Sequence, residues 1–128
     1  MYTTGKNEQF EIIELRYRGI VHVDERARSV DGVLRLLDET GFHRVLADFT
    51  DAVIPVDDFA SSAALAKKMS DNVVLLECRL ACVSAPETGT NHVVDGLAVA
   101  RGLTIEKFRD RAEAIRWLMA DARQTGTG

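Results

Sequence analysis

The sequence predicts an α/β fold. We expect a single domain with a mixed, mostly parallel five-stranded sheet flanked by four helices, in the order β-β-α-β-α-β-α-β-α. Three observations predict it. Apolar residues recur every second position in some stretches and with a period near 3.6 in others, the marks of strand and helix respectively. From residue 27 onward these two patterns alternate, and parallel neighbours in a sheet need crossover connections of this kind. The chain has 128 residues, the commonest size for one domain, and it should bury roughly two-thirds of its unfolded surface in one core.

Each element follows from local pattern. Residues 1–8 are polar and read as a loose tail. From Phe10, alternation of Phe10 and Ile12 against Ile13 and Leu15 predicts a first strand, and Ile20, Val21 and Val23 predict a second. Arg18-Gly19 would be the hairpin turn between them, since glycine reaches unusual backbone angles cheaply. Between Ala27 and Thr40, Val30, Val33, Leu34 and Leu37 fall on one helical face, with Gly41 placed to close the helix in a left-handed cap. Arg44 to Phe49 is an apolar run suited to a buried parallel strand. The stretch Thr50 to Ile54 reads as a loop, and Pro55 suits the first turn of a second helix whose stripe is Phe59, Ala63, Ala66 and Met69.

Residues 73–85 are rich in strand formers, with Arg79 to Ala85 the best strand among them. Thr90 is placed to cap a helix bearing Val93, Val94, Leu97 and Ala98, which ends before Gly102. Leu103 to Phe108 forms the last strand. The closing helix starts at Asp110 with Glu113 three residues on, like a capping box, and shows Ile115, Leu118, Met119 and Ala122 on its apolar face. The domain then spans residues 9–123, with 1–8 and 124–128 as flexible tails.

Composition narrows the function classes. Hydrophobic residues make up 46% and charged residues 28%, which argues against disorder. The formal net charge is −4 and no Lys/Arg run exceeds a pair, so the concentrated positive field that nucleic-acid binding needs is lacking. The polar start carries no signal-peptide pattern, and no run approaches the roughly 18 apolar residues of a membrane span. Cys78 and Cys82 would lie roughly 13 Å apart along a strand, beyond disulfide reach, and read as buried apolar thiols of a reducing, cytoplasmic compartment.

Tests for chemistry come out thin. His22, His43 and His92 fall in different predicted elements, with no zinc-like spacing. Burial of Cys82 would disfavour a reactive thiolate. The nearest thing to an anion-cradling loop is Ala85 to Asn91, where Glu87 would repel phosphate. Asp48, Asp51, Asp57 and Asp58 form an acidic cluster near a strand's carboxyl end, where open α/β sheets place ligands. Helix capping by Asp57 or Asp58 explains it more simply than Mg²⁺ binding. We therefore expect no catalytic residue, no metal and no cofactor; an enzyme would have to use Asp48 and Asp51 with shifted pKa values.

Three stretches carry a resemblance to a known family. They are Leu46-Ala47-Asp48-Phe49-Thr50, Arg79-Leu80-Ala81-Cys82-Val83, and Phe108 to Leu118, which follows the pattern F-x-x-x-x-E-A-x-x-W-L. With the element order, they resemble the SpoIIAA-like group. That group is related to STAS domains, the anti-sigma-factor antagonists, and has been compared with Sec14-type lipid-binding proteins. The similarity covers most of residues 10–122 and implies a small mixed sheet flanked by helices. In partner-switching STAS proteins a Ser or Thr at the start of the switch helix is phosphorylated within a D-S-S-G-like motif. Here the corresponding stretch reads Val56-Asp57-Asp58-Phe59, without hydroxyl acceptor or glycine, so that site is not carried over.

The resemblance and the lack of catalytic groups together imply a non-enzymatic, self-associating interaction module of bacterial type, a homodimer using the switch-helix face. The alternative is a binding domain for a small apolar or lipid-like ligand between sheet and helices, suggested by the small residues Ala60 to Ala64. The candidate surface comprises Asp48, Thr50, Asp51, Pro55, Asp57, Asp58, Phe59, Ser62 and Trp117. Trp117 lies beside the predicted apolar stripe, as a sheet-edge cover or an interface anchor.

Overall fold

The structure is a computed structural model and describes residues 1–85 and 93–127, the side chains of 121–127 excepted. The elements run β1 (Tyr2–Asn7), β2 (Ile12–Ile20), α1 (Val23–Thr40), β3 (Arg44–Val53), α2 (Phe59–Ser70), α3 (Val73–Leu76), β4 (Arg79–Val83), α4 (Val93–Ala100), β5 (Thr104–Phe108) and α5 (Arg111–Thr127). The predicted α/β class and mixed, mostly parallel five-stranded sheet are present, in spatial order β1-β2-β3-β4-β5. Only β1 is antiparallel to its neighbour. Because β2 to β5 are laid down in sequence order and each crossover is right-handed by preference, the connecting helices all fall on one face. The last helix follows the final strand and covers the other.

Two cores result. On the connecting-helix face, Val30, Val33 and Leu37 of α1, Leu65, Ala66 and Met69 of α2, Leu75 of α3, and Val94 and Ala98 of α4 pack on Ile13, Leu15, Val45, Phe49 and Leu80. On the opposite face Ala114 and Leu118 of α5 meet Ile12, Leu46, Ala81 and Val83, with Phe108 and Trp117 partly buried beside them. α5 lies chiefly over β4, flanked by β5 and β3.

Five expectations are corrected. Tyr2–Asn7 is an edge strand on β2, not a tail, and Met1 pairs through its amino group with Glu25. The antiparallel hairpin is therefore β1-β2. Gly19, at φ 74°, kinks the continuous strand β2 rather than turning it. β3 runs on through Thr50 to Val53, where a loop was expected. Its extra length holds a bulge: between the pairs Arg16↔Asp48 and Arg18↔Asp51, β2 advances two residues and β3 three. The strand formers Val73 to Leu76 make a short fifth helix, begun by the Asn72 side chain accepting from the Val74 amide. The backbone of 124–127 continues α5.

Other expectations hold. Gly41 is the left-handed cap of α1, its amide bonded to the Leu37 carbonyl. Asp110 caps α5, with Oδ1 accepting from the Ala112 amide. The expected cap at Thr90, the loop Pro86 to Asn91 and His92 lie outside the described residues.

Candidate interaction surface

The nine predicted surface residues divide among three places. Asp48, Thr50 and Asp51 sit on the β3 bulge, on the sheet face that α5 leaves open. The bulge takes the Thr50 amide out of the ladder, and the Asp48 carboxylate satisfies it at 2.9 Å while also accepting from the Thr50 hydroxyl at 2.6 Å. Asp51 accepts from Arg16 at 2.7 Å. Nearby, Arg111 at the start of α5 grips Glu14 through two bonds of 2.6 and 2.7 Å, which hold the Glu14 carboxyl below the usual carboxylate range. These carboxylates are thus engaged with neighbours of the same chain.

Pro55, Asp57, Asp58 and Phe59 lie together at the passage from β3 to α2. Pro55 precedes the helix by several residues instead of opening it. Asp58 is the true N-cap, accepting from the Ser61 amide and hydroxyl, each at 2.7 Å, and these bonds depress its pKa. Asp57 turns the other way. Its Oδ2 accepts from the Val23 amide at 3.1 Å and its Oδ1 faces His22 Nδ1 at 3.2 Å. His22 is the N-cap residue of α1 but caps nothing with its own side chain, so Asp57 supplies the cap from 34 positions along the chain. Ser62, expected at the surface, is 1% exposed and belongs to the packed side of α2.

Trp117 stands apart from the other eight. It is half-buried on α5 beside Leu118, stacked at an angle on Phe108 with ring centroids 5.7 Å apart, and covered by the Arg79 guanidinium at 3.9 Å from its centroid. Arg79 also donates to the Trp117 carbonyl. Trp117 is part of the packing of α5 on the sheet.

Sequence reasoning missed two features. The first is a set of exposed apolar side chains at the carboxyl end of β2 and β3: Ile20 at 67%, Val53 at 45%, Val56 at 83% and Phe59 at 69% exposure. Ile20 and Val53 are neighbours in register. Part of its signal was present, because Val53 stands between Ala52 and Ile54, both of which are buried.

The second is a polar knot inside the larger core. Arg26 and Asp95, 5% and 4% exposed, form an ion pair at 3.3 Å that joins α1 to α4. The Arg26 guanidinium also lies over Phe49, 5.4 Å from its centroid. Tyr17 and Ser29 share a short hydrogen bond beside them, and burial pushes the Tyr17 hydroxyl up. Arg26, Asp95 and Tyr17 border a cavity of about 50 Å³ lined otherwise by apolar side chains and Cys82. A lone aspartate in the apolar run Val93 to Ala100 was the available hint.

The remaining chemistry is quiet. Cys78 and Cys82 are buried and free; burial raises the Cys78 thiol to about 11 and pushes Cys82 up as well, away from thiolate reactivity. Cys78 lies on the turn before β4, donating to the Val74 carbonyl. His22 and His43 sit at opposite ends of the parallel strands. Among the described residues no group of three or more His, Cys, Asp or Glu is arranged to hold a metal ion. No helix among them is long and apolar enough to cross a membrane.

No family model matches the chain, and no curated protein matches it. Its structure is similar to the crystal structure of an uncharacterized protein of the DUF3478 family, with a SpoIIAA-like fold, from Shewanella loihica PV-4. The TM-score is 0.51 at 13% sequence identity, over 92% of each chain. The chain thus has the SpoIIAA-like fold that the three sequence stretches pointed to.

Proposed function

We propose that this SpoIIAA-like chain is a non-enzymatic interaction module that pairs with a second copy of itself in the cytoplasm. The observation that carries the reading is the exposure of Ile20, Val53, Val56 and Phe59 at one end of the sheet. Isolated exposed apolar residues are ordinary, but several at one place mark an association surface. An exposed phenylalanine supplies the kind of anchor that dominates interface energetics, and the capping aspartates preceding it supply a polar rim. Asp57 and Asp58 also fix the backbone between Val56 and Phe59, so that little order has to be gained on binding. The engagement of Asp48 with Thr50 and of Asp51 with Arg16, and the burial of both thiols, support binding over turnover.

Native mass spectrometry and light scattering test this reading. The purified protein is expected to be a dimer at micromolar concentration, and the double substitution Val56→Asp, Phe59→Asp should give a monomer with an unchanged thermal melt. A wild-type monomer, or a double variant still dimeric, overturns it. Turnover of a metabolite that is lost in Asp48→Asn would overturn the non-enzymatic part.

A second reading rests on a different observation, the interior cavity. At about 50 Å³ it is far smaller than the roughly 150 Å³ apolar cavity that admits benzene. A lipid-sized guest does not fit it, whereas a molecule of a few atoms does.

A further inference from the structure

We infer that two copies of the chain pair through the outer ridge of α2, the two helices lying antiparallel so that the acidic start of each meets the lysines that close the other. The inference rests on the self-association proposed above and names its contact. α2 is packed by α1 and by α4, and it buries Ser62, Leu65, Ala66 and Met69. Its opposite ridge, Ala60, Ala64, Lys67 and Lys68, is exposed and follows the i, i+4, i+7, i+8 spacing of one helix face.

Charge decides how two such ridges meet. Asp57 and Asp58 precede the helix, and Lys67 and Lys68 lie in its last turn, roughly 15 Å away at 1.5 Å per residue. Stacking the exposed ends of two sheets on one another would gather Asp57 and Asp58 of both copies at one place, which like-charge repulsion disfavours. The antiparallel pair instead sets these carboxylates against the lysines of the other copy, and a two-fold axis repeats the contact at both ends of the seam. In the single chain Lys67 holds Asp71 and Lys68 holds Asp31. Those bridges join exposed groups and are weak, so contacts across the seam can replace them.

Register follows from the same two-fold axis. Setting Ala60 opposite Ala64 of the other copy brings Lys67 opposite Asp57. It also lays Phe59, 69% exposed in the single chain, against Ala63 and the aliphatic stem of Lys67 of the other copy. Ala60 and Ala64 have no bulk beyond Cβ, so the helix axes can approach to roughly 8 Å, the close end of helix packing. Each Phe59 then loses solvent contact at one end of the seam, where an aromatic ring gains most from burial.

Cysteine cross-linking of the full chain under mild oxidation tests the inference, with light scattering to report assembly. An equimolar mixture of Ala60→Cys and Ala64→Cys is expected to form a disulfide-linked dimer, because the pairing brings these positions within the roughly 7 Å between Cα atoms that a disulfide spans. Val56→Cys, whose copies stand at opposite ends of the seam, is expected to stay uncross-linked. Cys78 and Cys82 are buried and do not compete. Lys67→Glu together with Lys68→Glu should raise the dimer dissociation constant at least about tenfold and leave the circular dichroism spectrum unchanged. A dimer that cross-links through position 56, or through none of these positions, overturns the inference and leaves the self-association reading standing. A dissociation constant unmoved by the lysine substitutions does the same. A wild-type chain that is monomeric at micromolar concentration overturns both.

Discussion

Asp57 and Asp58 are neighbours with different work. Asp58 satisfies the first turn of the helix it begins, whereas Asp57 satisfies the first amide of α1. An uncapped helix start leaves amides to water, and loss of a cap costs about 1 kcal/mol. Asp57→Ala should therefore lower stability by about 1 kcal/mol and speed hydrogen exchange at the Val23 amide, read by urea titration and NMR. Unchanged exchange there would mean that solvent serves α1 equally well. The capping role of this pair was legible in the sequence as residue type and position. Its division was not, because nothing local says that a carboxylate will be recruited 34 residues back along the chain. Ser62 failed in the same way. A small polar residue reads as surface until the helix around it is packed, and here it faces inward at 1% exposure.

Whole elements were legible in proportion to their own amphipathicity. α1 and α5 carry apolar residues at helical spacing and were placed correctly in kind; the face of α5 includes Ala114 and Leu118, both at 0% exposure. Leu118→Ala removes a fully buried side chain between α5 and Ile12, Leu46, Ala81 and Val83, and should cost about 2–5 kcal/mol. A thermal melt matching wild type within error would contradict that burial. β1 was illegible because Tyr2–Asn7 has no alternating apolar pattern; it is a strand by virtue of pairing with β2 at the sheet edge. α3 misled for the opposite reason. Its two valines favour strand intrinsically, but the Asn72 cap and the turn into β4 hold them in one helical turn. The bulge in β3 hid the length of that strand, since Asp48, Thr50 and Asp51 look like a loop when read without their partners. For the candidate surface, the acidic and aromatic residues near α2 were found, while Trp117 belonged to a separate layer.

At the scale of the molecule, α5 is the one helix on its face of the sheet among the described residues, and the Glu14–Arg111 pair fastens its first turn to β2. This makes the attachment of a whole layer sensitive to acid. The pair depresses the folded-state pKa of Glu14 below its ordinary value of about 4.3, Arg111 being the largest cause. The unfolded chain then binds the proton more readily. The stabilisation is fully present above the unfolded pKa and is lost as pH falls through the lower, folded one. Both groups are partly exposed, with side-chain accessibilities of 29% for Glu14 and 47% for Arg111, so solvent screens the gain and salt weakens it further. Urea midpoints measured from neutral pH downward should place Glu14→Gln below wild type at neutral pH, with the gap narrowing to nothing in strong acid. Arg111→Met should show the same convergence, and the two substitutions together should cost less than their sum. A gap between wild type and Glu14→Gln that is constant across the pH range would show that the glutamate contributes through packing or its Asn7 hydrogen bond rather than through its charge, and α5 would then be held by its apolar face and by the Arg44 and Arg79 bonds to its carbonyls.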